Sequence, residues 1–103
     1  MSPRIAIDRK KLANFCREWR LSELSLFGSV LRDDFGPESD VDVLVSFEPQ
    51  AHPTLPDLLK MQEQLETLFC HRVDLLTRRS VEANENYIRR KAILDSAEAI
   101  YAG

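Results

Sequence analysis

Apolar residues along this chain repeat first at helical spacing, then at strand spacing, then again at each in turn. That order predicts an α+β (α/β) fold, one small mixed β-sheet flanked by helices. Three observations carry it: two long stretches with an apolar stripe at i, i+3, i+4 and i+7, three short runs of alternating or mostly apolar residues, and turn chemistry between them. The 103 residues are expected to make one domain, 1–103, with one modest core.

The elements follow in order. Asp8 is placed to cap a helix that carries Leu12, Phe15, Cys16 and Trp19 on one stripe. Residues 23–27, Glu-Leu-Ser-Leu-Phe, alternate like a half-buried strand. Gly28-Ser29 breaks that strand, and residues 29–33 allow one helical turn. Phe35-Gly36-Pro37-Glu38-Ser39 reads as a loop. Residues 41–47 form a second strand, with Val41, Val43, Val45 and Phe47 on one face and Asp40 and Asp42 on the other.

Pro49, Pro53 and Pro56 then bracket a connection, and Thr54 with Asp57 has the form of a capping box. Leu58, Leu59, Met61, Gln62, Leu65, Leu68 and Phe69 predict a helix of about four turns. Residues 72–76, Arg-Val-Asp-Leu-Leu, are a third strand. Residues 84–101 read as a final amphipathic helix through Tyr87, Ile88, Ala92, Ile93, Leu94, Ala97 and Ile100. Cys16 and Cys70 are too few for a disulfide framework and are expected to be buried thiols; the Cys70-His71 pair lacks a second ligand pair for zinc.

Composition narrows the function. Hydrophobic residues make up 44% and charged residues 30% of the chain, as in ordinary globular proteins. No apolar run approaches the ~20 residues of a membrane span, and the N-terminus lacks the apolar core of a secretory signal, so no membrane partner and a cytoplasmic location are expected. The net charge of −3 argues against general nucleic-acid binding; Arg78-Arg79 and Arg89-Arg90-Lys91 are short clusters in an acidic chain. No Gly-x-x-x-x-Gly-Lys-Ser/Thr loop is present, which argues against a Walker-type NTPase.

The acids are concentrated. Asp33, Asp34, Glu38, Asp40, Asp42 and Glu48 lie close together, opposed by Arg32. The first three suit a solvated loop. Asp40 and Asp42 instead interleave with valines, where a carboxylate is costly unless paired or metal-bound. On one strand face their Cα atoms stand roughly 6.5–7 Å apart, a separation that can chelate one divalent cation or bracket two. Asp74 also sits among apolar residues and is free to join that face from a strand about 4.8 Å away. The Gly28-Ser29 turn can bring backbone N–H groups to a phosphate. Together these residues point to a site for a metal-bound nucleotide.

The run Gly28-Ser29, ten intervening residues, Asp40-Val41-Asp42, an apolar strand and a later Asp74 resembles the nucleotidyltransferase superfamily related to DNA polymerase β. At this length the chain looks like a minimal nucleotidyltransferase, or MNT-domain protein, and the resemblance covers about residues 21–76. It implies that Gly28 and Ser29 hold the nucleoside triphosphate. It also implies that Asp40 and Asp42 bind Mg²⁺, two ions in such enzymes, and that Asp74 completes the metal site and is the candidate to take the acceptor proton. Arg32 stands at a common basic position of the motif, where contact with phosphate and pairing with a nearby acid are both open. Asp33 departs from the pattern, since a glycine often follows that basic residue.

The resemblance further implies ATP as donor and a HEPN-domain ribonuclease toxin as partner, neutralised by transfer of AMP to a tyrosine hydroxyl. At this length no room for an acceptor domain is expected, so the acceptor is expected to be small or to be brought by a partner. Two alternatives stand beside this: an antitoxin acting by binding alone, and a small-molecule nucleotidyltransferase of the antibiotic-modifying type. Both a homo-oligomer and a hetero-oligomer with the toxin are compatible with the sequence.

Overall fold

The computed structural model describes residues 7–28, 36 and 39–102. The helical turn expected at 29–33, and Asp33, Asp34, Phe35, Pro37 and Glu38, lie outside the described residues. The element order is α1 (Arg9–Glu18), β1 (Leu21–Phe27), β2 (Val41–Phe47), α2 (Leu55–Phe69), β3 (Val73–Thr77), α3 (Arg78–Glu82), α4 (Tyr87–Ser96) and β4 (Glu98–Ala102). The strands form one sheet in the order β3-β2-β1-β4. β1 pairs antiparallel with β2 and β4, while β2 and β3 run parallel. This is the small mixed sheet with flanking helices that the sequence predicts.

Local chemistry sets the helix starts. The Asp8 side chain accepts from the N–H groups of Lys10 and Lys11, at 3.1 and 3.2 Å, and so satisfies donors the first turn of α1 leaves over. Thr54 and Asp57 close the expected capping box. The Thr54 N–H donates to Asp57 Oδ2 at 3.0 Å, and the Asp57 N–H donates to Thr54 Oγ1 at 3.4 Å.

The sheet is covered on both faces. On one, Leu12, Phe15 and Cys16 of α1 and Met61, Leu65 and Phe69 of α2 pack against Leu24, Leu26, Val41, Val43 and Val45. Strand alternation sends these residues to one side. Trp19 Nε1 donates to Gln64 Oε1 at 2.9 Å and ties α1 to α2. The other face carries a smaller cluster of Phe27 and Leu44 with Val81 of α3 and Ile93 of α4.

Three expectations change. The chain from 84 to 101 is not one helix: α4 ends at Ser96, and Glu98–Ala102 turns back as β4 along β1, with Leu26 opposite Glu98. Apolar spacing there suits either structure, and the open edge of β1 offers a ladder of unpaired backbone groups that helix propensity does not outweigh. The short helix α3, capped by the Thr77 hydroxyl accepting from the Ser80 N–H at 3.1 Å, was not anticipated. Cys16 is fully buried, but Cys70 is exposed. It is the C-cap of α2, with a left-handed φ of 57°, one residue beyond the stripe that ends at buried Phe69.

Candidate active site

β1, β2 and β3 each deliver one part of the candidate site. β1 ends at Phe27, which lies opposite Asp42 in the antiparallel ladder. Asp42 is in turn the register partner of Asp74 across the parallel ladder. Neighbouring strands stand about 4.8 Å apart and register partners point to the same face, so the two carboxylates project side by side. Asp40 sits immediately before β2, two residues ahead of Asp42. The Val41 N–H donates to the Arg72 carbonyl at 2.8 Å, which fixes the start of the β2–β3 pairing between them. Asp42 is half-buried, whereas Asp40 and Asp74 are exposed.

Gly28 shapes this corner directly. Its φ of +76° is the left-handed region that a side chain disfavours. A Cβ placed there would collide with the Asp42 carboxylate, lying 3.3 Å from its Cγ. The glycine therefore lets the chain leave β1 against the acid itself. Ahead of the acids, the Ser39 N–H donates to the Gly36 carbonyl at 3.0 Å and the Gly36 N–H to Ser39 Oγ at 3.1 Å, and this pair of bonds holds Ser39, the residue before Asp40, to Gly36. Ser29 and Arg32, the other residues expected in the site, lie outside the described residues.

Two residues not singled out from sequence support the arrangement. Glu66 Oε2 accepts from the Val73 N–H at 3.0 Å, so α2 anchors the first residue of the strand that carries Asp74. Ser25, buried on the same face as Asp42, donates to Glu23 Oε1 at 3.2 Å. No local pattern marks Glu66, because it acts between α2 and β3.

The donor set is all carboxylate oxygen, the chemistry that Mg²⁺ prefers. Among the described residues, no three His, Cys, Asp or Glu side chains are already gathered to hold a metal ion. The ladders bring Asp42 and Asp74 into register and place Asp40 at the strand entrance. Closing all three carboxylates around a cation requires side-chain torsions, which rotate between staggered wells without moving the backbone.

The family model for the nucleotidyltransferase domain matches residues 9–99. The chain belongs to the nucleotidyltransferase domain family. The protein adenylyltransferase MntA of Thermococcus cleftensis is 39% identical over 61 residues, 59% of this chain and 60% of that protein. The chain spans about three fifths of the length of the curated relatives it matches. A solved structure described as a candidate minimal nucleotidyltransferase superposes with a TM-score of 0.66 at 30% identity, covering 87% of this chain and 86% of that one. The same fold, at 18% identity and a TM-score of 0.62 over 92% of this chain and 70% of that one, occurs in a complex of a tri-AMPylated Shewanella oneidensis HEPN toxin with its MNT antitoxin. No helix among the described residues is long and apolar enough to cross a membrane.

Proposed function

We propose that this nucleotidyltransferase is an antitoxin that transfers AMP from Mg-ATP to a tyrosine hydroxyl of a partner HEPN ribonuclease toxin and so neutralises it. The observation that carries the reading is the corner where Gly28 backs directly onto Asp42 and Asp42 stands in register with Asp74. The name of the Thermococcus relative and the AMPylated toxin in the Shewanella complex support the same acceptor class.

In this mechanism Gly28 and Ser29 hold the triphosphate, and Arg32 is available to its phosphates. Asp40, Asp42 and Asp74 would hold Mg²⁺, with two ions expected. Bound there, the metal supplies charge neutralisation of the triphosphate and a lowered pKa for the acceptor hydroxyl. The tyrosine oxygen forms a bond to the α-phosphorus, and the bond to the bridging oxygen of pyrophosphate breaks. Asp74, the exposed acid of the outer strand, takes the tyrosine proton. Pyrophosphate leaves with the bonding electron pair.

The test is mass spectrometry of a purified HEPN partner after incubation with the chain, ATP and Mg²⁺. Addition of AMP to a tyrosine is the expected result, and an unchanged mass ends the enzymatic reading. The second reading is neutralisation by contact alone. Asp42→Asn separates the two: a contact-only antitoxin still protects cells with this variant, and an adenylyltransferase does not.

A further inference from the structure

β2 and β3 carry the acids near their first residues. A separate cavity of about 770 Å³ opens at their far ends. From Asp42 to Ser46, which borders it, is four residues along β2, about 13 Å at ~3.3 Å per residue. Leu44 lies between them on the same face and is buried in one cluster with Val81 of α3, so a packed layer divides the cavity from the acids. The volume falls within the range of small-molecule sites.

Its walls differ in character. Phe47, Pro49 and Leu58 line an apolar side. On the other side, Arg78 is engaged by Glu82 at 3.4 Å and by Glu23 at 3.9 Å. Arg79 also lines the cavity, and among the described residues no carboxylate stands within ion-pair reach of its guanidinium. His52 adds a second nitrogen donor at the border. Glu48 borders the same space and opposes a doubly charged group.

We infer that this cavity is a second binding site, for a small organic anion with an apolar body and a single negative charge, such as an aryl-alkyl carboxylate. The apolar body lies against Phe47, Pro49 and Leu58, and the carboxylate accepts from the Arg79 guanidinium, a charge-assisted pair. The inference does not depend on the proposed adenylyl transfer, because it uses none of the acids.

4-Phenylbutyrate is the probe, titrated into the full chain and followed by amide chemical shifts. Saturable shifts at Phe47, Leu58 and Arg79 are expected, with binding about tenfold or more weaker in Arg79→Glu and for the neutral 4-phenylbutyramide. Arg79 is exposed, so an unchanged melting temperature shows that the variant is folded. No saturable shift at those residues, equal affinity in Arg79→Glu, or displacement of the probe by ATP would each overturn the inference. Displacement by ATP would assign the cavity to the nucleotide instead.

Discussion

At the scale of single residues, Gly28 and Asp42 act as one unit. Gly28→Ala places a methyl group against the Asp42 carboxylate and strains a backbone at φ +76°. The backbone term alone costs about 1 kcal/mol. The carboxylate must also move, so nucleotidyl transfer should fall at least tenfold, a modest figure beside the ~10²-fold cost of ångström-scale misplacement. Steady-state AMP transfer together with the melting temperature reads both effects; a melting temperature lowered by a few degrees, with the folded protein's activity falling well beyond that loss, is the expected outcome. The two cysteines give a second prediction. Burial pushes the Cys16 thiol up to about 12, so it stays protonated and shielded at neutral pH, while Cys70 is exposed. Iodoacetamide should label Cys70 alone in the native chain and both cysteines after unfolding, as counted by mass spectrometry.

At the scale of elements, the capping box of α2 is both legible and titratable. A donated hydrogen bond from the Thr54 N–H, with the Thr54 side chain second, lowers the Asp57 carboxyl below its ordinary value of 3.8. A lowered folded value means stability that is present above the ordinary value and lost as pH falls through the lowered one. Asp57→Asn should therefore lower the melting temperature at pH 7, and the difference from the parent should close as pH falls from the ordinary value of 3.8 through the lowered one. Thr54→Ala should cost about 1 kcal/mol in a denaturant titration, the usual size of a lost cap. The box was readable because its partners are three residues apart. So were the stripes of α1 and α2 and the alternation of β2, all of which are local periodicities; the register that sets Asp74 beside Asp42 is a pairing between strands that alternation allows but does not fix. β4 was not readable, because Glu98-Ala-Ile-Tyr-Ala carries no period that excludes a helix and its ladder partner is β1, far away in sequence. The start of β3 likewise depends on Glu66 reaching across from α2.

At the scale of the whole molecule, the two faces of the sheet are unequal, and the chemistry sits on the thinner one. α1 and α2 bury a large cluster that runs through Leu12, Leu26, Val43, Met61 and Leu65. α3 and α4 hold the opposite face through Phe27, Leu44, Val81 and Ile93, and α4 leaves Tyr87 and Ile88 largely exposed. Local opening free energy follows buried apolar packing. Amide hydrogen exchange should therefore open α3 and α4 well before α2 and the central strands. Ile93→Ala removes one of the buried anchors described in that layer, at a cost of about 2–5 kcal/mol if the whole layer responds as one cooperative core. The two-faced architecture predicts something else: exchange speeds up in α3, α4 and β4, while protection of Leu24, Val43 and Met61 changes little. A uniform loss of protection would mean that both faces fold as a single unit. Selective loss would show that the layer over Leu44, beside the Asp42–Asp74 pair, loosens independently of the scaffold that keeps those acids in register.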